Sequence, residues 1–77
     1  MPKSAPEHWR TVEAVFLAAG FQFARQAGSH RSDVRPGVAR PVVIPARKDV
    51  PVFVIRNNFK TAGLSRDEYF RLLEQVK

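Results

Sequence analysis

The chain contains no cysteine, one methionine, one tryptophan and one tyrosine in 77 residues. Without cysteine, neither a disulfide staple nor a thiolate metal site is available. A domain this small must then hold together by packing alone, and the composition fits a reducing compartment. Long apolar runs are also missing. The N-terminal MPKSAPEHWR lacks the apolar stretch of a signal peptide, and no segment approaches the roughly 20 apolar residues of a membrane-spanning helix. A soluble, cytoplasmic protein with no membrane partner is expected, folded as one domain over residues 1–77.

Acid is scarce too. Seven Asp and Glu oppose thirteen Lys and Arg, a formal net charge of +6. The excess is concentrated between positions 25 and 60, where Arg25, Arg31, Arg35, Arg40, Arg47, Lys48, Arg56 and Lys60 face only Asp33 and Asp49. The two flanks cancel. A block this one-sided is the electrostatic footprint of a protein that meets a polyanion, and most of its cations are arginine, whose planar fork matches phosphate. Mg²⁺ sites draw on convergent carboxylates, which Asp33 and Asp49 do not obviously provide. No metal or other cofactor is therefore expected.

Ser4-Ala5-Pro6-Glu7 has the form of a capping box with proline in the first turn. Trp9, Val12, Val15, Phe16 and Ala19 then recur at helical spacing, and Gly20 supplies a stop. A first helix over about residues 5–19 is expected, with His8 in its first turn. Phe21 to Gln26 alternates as a strand does, Ala27-Gly28 reads as a hairpin turn, and residues 30–35 form the returning strand. That register would make Arg25 the cross-strand neighbour of His30; a different loop length would separate them.

Pro36-Gly37 occupies the centre of a second turn. The strand that follows, Ala39 to Pro45, contains Pro41 and Pro45 four residues apart, so both lack a donor on the same edge, which suits an edge position paired on one side only. Residues 50–62 hold enough Val, Ile and Phe for a strand, but Val52, Ile55, Phe59 and Ala62 share a helical face and Gly63 suits a helix stop. A helix is favoured. Ser65-Arg66-Asp67-Glu68 is a second capping box, with Tyr69, Leu72, Leu73 and Val76 as the buried stripe. The fold class is α+β, ordered α-β-β-β-α-α, with helices on one face of a small three-stranded antiparallel sheet.

Four segments in this order resemble the HicA toxins: G-F-x-x-x-R-Q-x-G-S-H across Gly20 to His30, V-x-I-P at Val42 to Pro45, K-D-x-P at Lys48 to Pro51, and A-G-L-S at Ala62 to Ser65. The resemblance implies a double-stranded-RNA-binding-domain-like fold and a small ribonuclease that cleaves messenger RNA. It also implies silencing by a HicB-type antitoxin, expected to present an acidic surface. The family's catalytic histidine follows the Gly-Ser pair, so that role falls on His30. Two departures stand out. Where family members often carry a further histidine, this chain has Arg31 and Ala46-Arg47, and where a small or Gly-Thr pair usually starts the helix it has Phe53-Val54.

RNA can be cut without metal because its own 2′-hydroxyl attacks the adjacent phosphorus. The reaction needs a base for that hydroxyl, an acid for the leaving oxygen and cations for the phosphoryl oxygens. An imidazole is suited to the proton steps and positioned arginines to the charge. His30 is accordingly the candidate catalytic residue, with Arg25, Ser29, Arg31, Arg47 and Lys48 as candidate RNA- or phosphate-binding residues. Taken by itself, a histidine beside a turn is more often solvated surface. Without catalysis the same chain would be a double-stranded-RNA-type binding module. Asp33 alternates with Arg31 and either orients cations or forms an ion pair.

Overall fold

A computed structural model describes residues 4–77. It contains α1 (Trp9–Ala18), β1 (Gln22–Ala27), β2 (His30–Val34), β3 (Val42–Pro45), α2 (Val52–Thr61) and α3 (Arg66–Val76). The strands form one antiparallel sheet in the order β1-β2-β3, so the α+β order expected from the sequence holds. Within the segment for which a helix was favoured, Val52–Thr61 is helical, while Val50 forms a β-bridge with Glu7.

Val12, Val15 and Phe16 of α1, Val42 and Ile44 of β3, Ile55 of α2, and Tyr69 and Leu73 of α3 are all buried in one core. The helices cover the sheet face that Val42 and Ile44 present. α1 packs on α3, β1 and β3, and α2 packs on β3 and α3. The opposite face carries no helix. Val43 lies there at 39% exposure between its two buried neighbours, as period-two alternation demands.

The punctuation follows local chemistry. Gly20 (φ +95) ends α1, with the Phe21 N–H donating to the Phe16 carbonyl; Gly63 (φ +77) ends α2 the same way, Leu64 to Phe59. Both are the six-to-one closure that needs a left-handed residue after the helix. Pro36-Gly37 turns with Val38 donating to Arg35. The Ser65–Glu68 capping box is complete in both directions.

The start of α1 differs from expectation. Residues 4–8 are not helical; Glu7 exchanges backbone hydrogen bonds with Val50 instead and pairs its carboxylate with Lys77 at 2.9 Å. A tertiary bridge thus outcompetes the local capping box. The N-cap is His8, whose Nδ1 accepts from the Arg10 N–H at 3.1 Å.

Candidate nucleic-acid interface

The β1–β2 loop is Gly28-Ser29, one residue later than the Ala27-Gly28 loop expected. Two-residue hairpins favour primed turns, whose twist matches that of the strands, and type II′ needs a positive φ at its first central position. An alanine there would be strained; Gly28, with φ +59, is not. The turn therefore moves to place glycine first. His30 becomes the first residue of β2, paired with Ala27 on one side and Pro45 on the other.

This register changes the neighbours of His30. Arg25 pairs with Ser32, not with His30. Cross-strand partners share a face, so Arg25, Ala27, His30 and Ser32 all lie on the side without helices. Arg25 and His30 are diagonal there, an offset that long side chains reach across.

A β-bulge makes this possible. Phe23 pairs with Asp33 and Arg25 with Ser32, leaving Ala24 as the extra residue of β1. In an unbroken strand Phe23 and Arg25 would share a face. The bulge re-aims one of them, so Phe23 stays on the helix-covered side while Arg25 joins the histidine.

His30, Ser29, Arg25, Arg47 and Lys48 are all exposed. Arg47 and Lys48 sit on the loop after β3, and that loop is tied to the hairpin by the Ala46 N–H, which donates to the Ser29 carbonyl at 2.6 Å. Its other anchor is the Arg47 carbonyl, which accepts from the Trp9 N–H at 3.1 Å. Among the described residues, ion pairs join Arg31 to Glu13 and Lys77 to Glu7; none engages Arg25, Arg47 or Lys48.

Arg31 is placed elsewhere. It faces the helices, opposite Ile44, with its Nε 3.0 and 3.1 Å from the two Glu13 carboxylate oxygens and an Nη donating to Gln26 Oε1 at 2.9 Å. Its guanidinium also lies 4.8 Å from the Trp9 ring centre and 4.1 Å from that of Phe23. Such a clasp ties α1 to the sheet and engages the guanidinium, which is partly buried.

Sequence reasoning missed Glu13, 7% exposed within the apolar stripe of α1. Its position four residues after Trp9, on the same helical face, was the available signal. Asp33 is fully buried beside it. Ionised, its two oxygens find no donor; protonated, it donates to Glu13. Burial, and then that hydrogen bond and the Glu13 charge, push its pKa up to about 7 against the pull of Arg31.

Among the described residues no three His, Asp or Glu side chains converge as a metal site, and no helix is long and apolar enough to cross a membrane. A family model described as the HicA toxin of bacterial toxin–antitoxin matches residues 9–64. A search of curated protein sequences finds no significant match.

Proposed function

The chain belongs to the HicA toxins of bacterial toxin–antitoxin systems, and on that premise we propose that it is a metal-independent endoribonuclease that cleaves messenger RNA through His30. The observation that carries this reading is the exposed imidazole on the helix-free face. It sits diagonal to Arg25 and next to the strand end from which the Arg47–Lys48 loop departs.

The chemistry balances without a metal. A base takes the proton of a ribose 2′-hydroxyl as its oxygen attacks the adjacent phosphorus. The bond from phosphorus to the 5′ oxygen breaks, and an acid supplies that oxygen with a proton. The products are a 2′,3′-cyclic phosphate and a 5′-hydroxyl. His30 serves as the acid or the base, while Arg25, Arg47, Lys48 and the Ser29 hydroxyl hold phosphate oxygens. Cleavage of messages would halt growth, and the antitoxin partner implied by the family would silence it. We take that partner to be a HicB-type protein with an acidic surface over this basic face.

The deciding experiment is the end chemistry of RNA fragments. Wild type is expected to leave cyclic phosphate ends in EDTA, to spare a 2′-deoxy position, and to lose cleavage by about 10²-fold or more on His30→Ala. Cleavage that stops in EDTA and returns with Mg²⁺ would overturn the metal-independent mechanism. A second reading, a binding module without catalysis, draws on one observation: the other imidazole of the described residues, His8, is engaged at the α1 N-cap. Equal RNA affinity of wild type and His30→Ala, with product from neither, would select it.

A further inference from the structure

We propose that Phe53 is a stacking platform for one unpaired RNA base, flanked by Arg56 and Lys60 as phosphate contacts, which makes single-stranded RNA the preferred substrate class. This rests on the ribonuclease reading and extends it to a residue that the hairpin site does not include.

Phe53 is 65% exposed, more than any other large apolar side chain among the described residues. It lies in the first turn of α2, whose inward side is supplied by Ile55 and Asn58 with Val54 and Phe59 packed beside them. Phe53 adds nothing to that core. Phe53, Arg56, Asn57 and Lys60 follow one another at helical i, i+3, i+4, i+7 spacing, and all four are exposed. Helix α2 carries no acidic residue, and neither Arg56 nor Lys60 is in an ion pair among the described residues.

The stripe is also joined to the hairpin site through the chain. The connection from β3 to α2 starts at Ala46, bonded to Ser29, passes the exposed Arg47 and Lys48, and enters the helix one residue before Phe53. An RNA strand that followed this connection from His30 would meet the cations first and the ring next.

Charge and composition choose the occupant. A phenylalanine that anchors a protein partner is usually ringed by further apolar contacts that exclude water. Here its companions are Arg, Asn and Lys. An aromatic face set among unpaired cations is the combination that binds single strands, because every base has a face to stack and every linkage a charge.

The test uses the full chain and a fully 2′-O-methylated single-stranded RNA, which cannot be cut, with circular dichroism to verify folding. Phe53→Ala should weaken binding about 5- to 150-fold, the range of one lost stacked base. Phe53→Leu should weaken it as much, and Phe53→Trp should retain it. The penalty should vanish when an abasic site stands at the stacked position, and a duplex of the same sequence should show none. Binding by wild type that Phe53→Ala leaves unchanged would overturn the stacking role while the ribonuclease reading survives. So would a loss confined to antitoxin affinity, which would assign the ring to a protein interface. A wild type that neither binds nor cuts single strands would sink both.

Discussion

His30 and Arg31 are adjacent in β2 and point to opposite sides of the sheet, the imidazole to the open face and the guanidinium into a clasp between Glu13, Trp9 and Phe23. Two cations that bracket the same hairpin, Arg25 and Arg31, consequently do different work. One is free on the histidine's face; the other joins a helix to the sheet.

Substitution separates these tasks. Arg31→Ala leaves the 7%-exposed Glu13 without its partner, and removing one member of a buried pair costs roughly 3 kcal/mol. Urea denaturation should show a lower midpoint with an unchanged slope. Arg25→Ala should stay within about 0.5 kcal/mol of wild type, as exposed substitutions do, while slowing RNA cleavage. An Arg25 variant that loses stability and keeps full activity would reverse the assignment.

His30→Ala is expected to leave the denaturation midpoint in place, because the side chain is exposed and holds up no part of the core. Turnover should fall by about 10²- to 10⁴-fold, the usual contribution of a positioned acid or base. Glutamine at the same position should not restore it, since an amide hydrogen-bonds but does not exchange a proton at neutral pH.

Arg47 and Lys48 lend themselves to a salt titration. Each phosphate contact to a single strand contributes about 0.7 to the slope of log affinity against log salt. Replacing both by alanine should flatten that slope by about 1.4, with similar losses for unrelated sequences, because phosphate contacts position a strand without reading it. An unchanged slope would place the strand elsewhere.

Much of this architecture was legible in the residues because the relevant forces are local. Helix stripes, Gly20 and Gly63 as stops, Pro36-Gly37 as a turn, prolines at the edge strand and the Ser65–Glu68 box each depend on a few neighbours. Three features were not. The start of α1 is set by Val50, far along the chain, which captures Glu7. The hairpin register turned on which residue could take a positive φ, and a one-residue shift separated Arg25 from direct pairing with His30. The bulge at Ala24 has no signature of its own; it follows from needing Phe23 on one face and Arg25 on the other. The Gly-Ser-His motif is what singles out His30 as a candidate, whereas the contacts of Arg31 depend on Glu13, eighteen residues away.

The buried acid pair makes the fold sensitive to alkali in a way that one isosteric change should abolish. Asp33 holds its proton up to about pH 7 when folded, against an ordinary value of 3.8. The folded state therefore binds that proton more tightly than the unfolded chain does. Its stabilising effect is complete below about pH 4 and is lost as pH rises toward 7 and beyond, when a charge must form against Glu13 with only Arg31 to offset it. Asp33→Asn keeps the shape, still donates to Glu13 and does not titrate. At about pH 3.5, below the ordinary carboxylate value, the variant should match wild type closely. At pH 8 it should be the more stable of the two, by on the order of 2–4 kcal/mol, measured as the difference in urea midpoints at each pH. A difference that is constant across this range, or one that favours wild type at pH 8, would mean that Asp33 is ionised in the folded protein and that Arg31 serves both carboxylates.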